Sequence, residues 1–247
     1  MRSHVALAVV VLIAGAVARG HAAPLAMPEV AAGGGYALVD QSEHFSFYAY
    51  AENGRHLKVD AKRNERVLIE IAAELGVAPP AQRIVYYRHE YPEEVAFHAG
   101  HPSLWTAGVA DPHSGTIHTV MPAHPHEIVH LLAFQLGDPG RFFHEGLAVA
   151  LGDKGRLWGQ RVDGLARRAL ESASISAALS SFDGVPPEVA YPIAGSFVSY
   201  VIRKHGIARV SDFFRRGQAS DPGRALAFEQ VFGVPLRQVM ADWRASL

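Results

Sequence analysis

The sequence predicts an α+β protein: a small N-terminal lobe of mixed strands and helices, packed on a mainly helical C-terminal lobe. Two observations carry this expectation. Between about residues 36 and 122, short runs rich in aromatic and β-branched residues alternate with amphipathic segments. From about 124 to 247 the apolar residues recur at helical spacing, broken only at Asp138-Pro139-Gly140 and again between Gly184 and Pro187. No stretch between the halves is long enough to be a linker, so a single domain is expected over residues 23–247.

The elements follow in order. Met27 to Ala37 is rich in Ala and Gly and reads as a flexible lead-in. His44 to Tyr50, "HFSFYAY", alternates in part and reads as a strand. Leu57 to Val77 is an amphipathic helix ending at Gly76. "QRIVYYR", Gln82 to Arg88, follows a Pro-Pro break as a buried strand, and "YPEEVAFHAG" is a short helix. "WTAGVAD" and Gly115 to Pro122 form two strands joined by a turn at Asp111–Gly115. From Pro125 onward the reading is helical to the end.

Composition narrows the function. The formal charge is −1 and no run of Lys or Arg forms a basic stripe along the chain, so nucleic acid is a poor partner. Cysteine is absent, which excludes disulfides and thiolate metal sites and leaves His, Asp and Glu as metal ligands. Residues 1–22 read as a secretory signal peptide. Arg2 precedes the apolar run Val5–Val17, which is shorter than the roughly 20 residues a spanning helix needs, and small residues follow up to Ala22. The reading implies export to the periplasm or medium with a mature chain near Ala23; an uncleaved tether is the alternative. No later stretch is apolar enough to cross a bilayer.

The chemistry concentrates in "HEIVHLLAFQLGDPGRFFHEGLAVAL", His126 to Leu151. His126 and His130 stand four residues apart, which places both imidazoles on one helix face, one turn apart. Glu127 projects beside that face. This is the HExxH arrangement of two zinc ligands and a general base. The surrounding Ile128, Val129, Leu131, Leu132 and Phe134 mark a buried helix, where ionisable groups need a partner or a metal. Glu145 is the expected third ligand on the helix after the Asp-Pro-Gly break, leaving one position of a single zinc ion open; a Glu at a helix N-terminus, favoured by the macrodipole, is the plainer account. His144, its neighbour, is expected to face elsewhere.

HExxH followed by "EGLA" resembles the gluzincin metallopeptidases, particularly the peptidase MA-like proteins of bacterial envelopes. "SEHFSFYA" is similar to their opening strand, "GVADPHSGTIHTVMP" to the strand pair before the zinc helix, and "YPIAGSFVSYVIRKHG" and "FGVPLRQVMADW" to their helical tail. The resemblance implies a zincin-like fold with zinc at a cleft, and a cleft-edge strand, here Gly115 to Pro122, that binds substrate by strand addition. It also implies an oxyanion donor after the third-ligand helix. Tyr191 is the candidate because it opens the next helix, with Pro192 in the first turn; a ring simply buried against a packed helix is the alternative. Thermolysin-type relatives place an acid four residues after the third ligand, but that position here is Val149. The partner that orients the histidine ligands is therefore left open, with Asp138 only a guess.

The expected function is zinc-dependent hydrolysis of peptide bonds, with water activated by Glu127. A non-catalytic zinc-holding envelope module, or an amidase acting on a non-protein amide, are the alternatives. The other histidines, His98, His101, His113, His118 and His124, read as exposed loop residues or as an accessory metal site, with His118 held near substrate. Arg141 is either a binder of a substrate carboxylate or a solvated turn residue.

Overall fold

In the computed structural model the described residues are 35–52, 55–98 and 106–247. The signal-peptide stretch and His101 lie outside them. The chain is α+β, as expected, and divides into two compact units. The first comprises residues up to 65 and 80–124; the second comprises 66–79 and 125–247. Residues 66–79, which fall in the stretch assigned to the sheet lobe, thus belong with the helices.

The first unit is a mixed sheet. Its main strands are β1 (Gly35–Gln41), β2 (Phe45–Glu52), β4 (Ile84–Arg88), β5 (Gly108–Asp111) and β6 (Thr116–Thr119), in the order β1-β2-β4-β6-β5; β3 (Arg55–His56) pairs only with β2. The pairs β2–β4 and β4–β6 are parallel, while β1–β2 and β5–β6 are antiparallel. Alternation decides the faces. Phe45, Phe47, Ala49, Ile84, Tyr86 and Ile117 are buried, whereas Tyr48, Tyr50, Tyr87 and His118 are only partly so. Two expectations need correcting. The lead-in ends earlier than its composition suggested: β1 begins at Gly35, because pairing with the aromatic β2 supplies the burial that Gly and Ala lack. The strand Thr116–Thr119 is interior, bonded to β4 on one side and β5 on the other, so its backbone groups are used and no strand can be added to it.

The helix α1 (Ala61–Leu75) opens with the Asp60 carboxylate accepting from the Arg63 N–H at 3.0 Å. It buries Val67, Leu68, Ile71, Ala72 and Leu75 along one stripe and ends at left-handed Gly76, where the Val77 N–H returns to the Ala72 carbonyl. Asn64, at its start, donates to the Pro122 carbonyl at 3.2 Å and so pins the segment that leads into the second unit's sequence.

On the half-buried face, rings of Tyr48, Tyr87 and His118 stack across β2, β4 and β6, and His98 of α2 (Pro92–His98) stacks on His118. His89 Nε2 and His118 Nδ1 share a hydrogen bond of 2.9 Å, and the Tyr36 hydroxyl bonds His89 Nδ1. Burial, and then the neighbouring His98, lower the His118 pKa to about 4; burial, and then His118, lower that of His89 to about 2. Both therefore stay neutral in the folded protein at pH values where the unfolded chain takes up a proton. Stability carried by His118 is present above about 6.5 and is lost as pH falls toward about 4. Urea unfolding across that window should show a loss to which His118 contributes on the order of 2 kcal/mol. His118→Asn, which keeps a polar atom toward His89, should flatten the curve; an unchanged slope would exclude this group as its source.

The second unit is helical: α3 (Pro125–Phe134), α4 (Arg141–Leu147) running into a π turn (Ala148–Gly152), a hairpin β7 (Arg156–Leu157) and β8 (Gln160–Arg161), α5 (Val162–Ala169), α6 (Ile175–Ser180), a 3₁₀ turn (Phe182–Gly184), α7 (Pro187–His205), α8 (Ile207–Arg216), α9 (Asp221–Phe232) and α10 (Leu236–Ser246). Its core is aromatic, with Phe142, Phe143, Phe197, Phe213, Phe228 and Trp243 buried together. The Trp243 indole donates to Ser196 Oγ at 3.0 Å, and Ser196 in turn donates to Asp163 at 2.6 Å, joining α10, α7 and α5. The contact of α4 with α7 depends on Gly146: a Cβ there would meet the Ala194 carbonyl oxygen at 2.6 Å. No helix of the described residues is long and apolar enough to cross a membrane.

Candidate metal centre

The helix α3 is buried along most of its length, with Phe134 at its end exposed. His126 through Ala133 are all inaccessible, so three ionisable groups are removed from water along with five apolar residues. Pro125 occupies the first helical position, where its missing N–H costs nothing. The i, i+4 spacing brings the rings of His126 and His130 to 4.8 Å between centroids. Glu145, on α4, presents one oxygen to both: Oε2 lies 3.3 Å from His126 Nε2 and 3.4 Å from His130 Nε2. All three residues are at most 1% exposed.

Those separations are informative. Charge-assisted hydrogen bonds between imidazole and carboxylate run at about 2.7–2.9 Å. Three ligand atoms at about 2.0–2.1 Å from one tetrahedral ion stand roughly 3.4 Å apart. Both nitrogens aim at the same oxygen at the second spacing, and neither His130 nitrogen makes a hydrogen bond. The donor set, two imidazoles and one carboxylate with no sulfur, suits zinc with a position left for water. Among the described residues one other group brings metal-ligand atoms together, Glu43, His44 and Glu65, where His44 is already hydrogen-bonded to Glu65.

The support for His126 comes from Asp153, which the sequence reading did not identify. Its Oδ2 accepts from His126 Nδ1 at 2.7 Å. With Nδ1 donating to Asp153, Nε2 is left facing the Glu145 carboxylate, where it can hold a proton or share a cation with it. Burial penalises the imidazolium, yet Asp153, Glu145 and Glu127 outweigh it and raise the His126 pKa well above 6.5. His130 has no such partner; burial, offset only in part by Glu145, lowers its pKa to about 4. Glu145 is held ionised: burial opposes the charge, but His130 and His126 depress the pKa far below the usual carboxylate range. Asp153 lies eight residues after Glu145, and at 3.6 residues per turn an α-helix would carry it ~80° off that face. The wider i→i+5 turn of Ala148–Gly152, closed by the Asp153 N–H on the Ala148 carbonyl at 3.2 Å, takes up the excess. Gly152 permits the approach, since a Cβ there would stand 2.7 Å from the His126 backbone.

The remaining expectations sort as follows. Val149 is fully buried against Gly195 and serves packing. Asp138, the guessed partner, pairs instead with His144 Nε2 at 3.4 Å and accepts from the Gly140 N–H at 2.8 Å. His144 lies edge-on to Phe214 and is no ligand. Glu127 is fully buried and lies within electrostatic reach of His126 and Tyr191. Arg141 opens α4, partly exposed, and its charge is already partnered: its Nε is 3.4 Å from Glu145 Oε1, its Nη1 2.5 Å from Asp183, and its guanidinium covers the Phe182 ring. It balances the Glu145 oxygen that faces away from the histidines. His124 bonds Thr119 Oγ1 at 2.8 Å and His113 is exposed in the Asp111–Gly115 turn.

Tyr191 does reach this centre, though not from a helix opening. The helix α7 starts at Pro187, because Pro186 is held extended by the proline after it and Pro187 is pre-set for the first turn. Tyr191 is thus in the second turn and Pro192 is inside the helix. The ring is 5% exposed, edge-on to Phe182. Its hydroxyl makes no hydrogen bond of good geometry, although Arg141 is close. Burial first, and then Glu145, raise its pKa well above 10, so it remains a donor.

No family model matches the chain, and neither the curated proteins nor the solved structures searched contain a match.

Proposed function

We propose that the protein is a zinc metallopeptidase of the gluzincin type, similar to the peptidase MA-like proteins, exported after removal of residues 1–22, and that its α+β fold is zincin-like. The observation that carries the proposal is the convergence of His126, His130 and Glu145 on one point at ligand spacing, with Asp153 behind His126. These three residues would hold one zinc ion. Zinc, when bound there, lowers the pKa of water toward about 7 and polarises a carbonyl oxygen.

The chain's own groups supply the proton chemistry. Glu127, adjacent to a ligand but off the ligand face, accepts a proton from the attacking water at its carboxylate and delivers it to the leaving amine nitrogen. Its burial removes competing water and keeps the proton within the site. The Tyr191 hydroxyl donates to the oxyanion that forms on the scissile carbonyl. Arg141 and Asp153 hold Glu145 and His126 in place.

The test is metal analysis of the purified protein joined to cleavage of a broad peptide library. One zinc per chain with peptide hydrolysis is expected. A protein with no zinc affinity would overturn the reading; zinc bound without peptide cleavage would turn it into a metal-holding module or an amidase of another substrate. Tyr191→Phe, which removes only the donor, should lower kcat roughly 10²-fold with zinc content unchanged. A variant with the parent's kcat would leave Tyr191 as a packing residue against Phe182.

A further inference from the structure

The hairpin β7–β8 begins three residues after Asp153 and bears two local costs, met in part by the Arg156 guanidinium donating to the Gly159 carbonyl at 2.6 Å. Its turn places Trp158 at φ 49°, in the left-handed region, followed by Gly159 at φ 76°. Two-residue turns of this kind favour Asn or Asp before Gly, and a bulky residue there is strained. Its strands set Arg156 directly opposite Arg161, a like-charge pair that disfavours the ladder. Both arginines are exposed, and Trp158 is 36% exposed at the tip. Lys154, Arg167 and Arg168 are exposed nearby; Arg168 bonds Gln160 at 2.9 Å, which fixes the end of α5 against the hairpin. Residues 154–168 carry a formal charge of +4 in a chain of −1, and their acid, Asp163, is occupied by Ser196 and Arg203. Arg156 and Arg161 share one face of the hairpin beside its tip, while Arg168 meets Gln160 on the alternate face.

We propose that this hairpin docks the protein onto an anionic phospholipid surface, with Trp158 seated at the headgroup level and the flanking arginines on lipid phosphates. Trp158 is a partly exposed indole at the tip, flanked by the Arg156–Arg161 pair, a combination that suits the boundary of an anionic bilayer. Indole rings favour the membrane–water boundary, and guanidinium groups bind phosphate in bidentate fashion. Docking by this element is independent of whether the metal centre is catalytic.

Co-sedimentation of the purified protein with vesicles of phosphatidylcholine, with and without phosphatidylglycerol, tests the proposal. Comparing variants of the same chain isolates the hairpin from any contribution of residues 1–34. The parent should bind anionic vesicles, and less as salt rises. Arg156→Glu with Arg161→Glu should weaken that partition at least ~10-fold. Trp158→Asn is the sharper variant: Asn tolerates the left-handed turn, so Tm should hold or rise while vesicle binding falls several-fold. A lower Tm with undiminished binding would make Trp158 a structural residue and overturn the proposal. So would equal binding of all variants, or no preference for anionic vesicles. Binding of soluble polyglutamate that is as tight as vesicle binding, and insensitive to Trp158→Asn, would assign the hairpin to an acidic protein partner instead.

Discussion

Glu127→Gln should leave one zinc ion per chain and reduce peptide hydrolysis by at least ~10²- to 10⁴-fold, the range general acid–base catalysis contributes. The substitution keeps the size of a fully buried side chain and changes only its ability to take a proton. Glu127 lies one residue from His126, and a step of about 100° around the helix carries it off the face shared with His130. The metal site should therefore survive, and thermal stability should change little. Zinc content by atomic absorption and kcat on a substrate drawn from the peptide library separate the outcomes. Full activity in the variant would remove Glu127 as the base. Loss of zinc together with activity would make it a ligand, contrary to the convergence of the other three residues.

Glu145→Ala should lose zinc under conditions where the parent retains it, whereas Asp153→Asn should keep a site weakened about 10- to 100-fold, the usual cost of removing a partner of a metal-bound histidine. The two differ because Glu145 offers the oxygen that both imidazoles face, while Asp153 acts through His126 Nδ1. Removing Glu145 also takes from Arg141 one of its two carboxylate partners and leaves Asp183. Competition with a chromogenic chelator reads both affinities. Equal zinc affinity in the parent and Glu145→Ala would exclude it as the third ligand. Equal affinity in the parent and Asp153→Asn would reduce the His126–Asp153 contact to a structural hydrogen bond.

Much of the centre was legible in order along the chain. A spacing of four on a helix is a geometric statement, because the backbone alone sets 3.6 residues per turn, so His126 and His130 share a face wherever the helix goes. The apolar residues between them announced burial, and burial of ionisable groups announced a partner. Glu145 followed from the same reasoning on the next helix. The strands β2, β4, β5 and β6 were legible too, the first two as aromatic runs, and so was the turn Asp111–Gly115 between β5 and β6.

Other features needed the third dimension. Strand order is not written in alternation, so Thr116–Thr119 read as an available strand until pairing placed it between β4 and β5. Gly35–Gln41 is a strand only because β2 lies beside it. Asp153 escaped notice because counting at α-helical pitch points to Val149; a single π turn changes the count, and nothing local in "AVALG" announces one. Arg141 read as a solvated turn residue because it was assigned to the Asp-Pro-Gly break, whereas it opens α4 one turn before Glu145, and because Asp183 is forty-two residues away along the chain. The basic surface around Trp158 was invisible for the same reason. Arg156 and Arg161 never form a run, and only a tight hairpin sets them opposite each other beside Trp158. The sequence by itself placed His126 and His130 on one face, because a spacing of four matches the period of one helix. The tertiary structure decided what orients and surrounds them, because those contacts join residues whose separation no local period encodes.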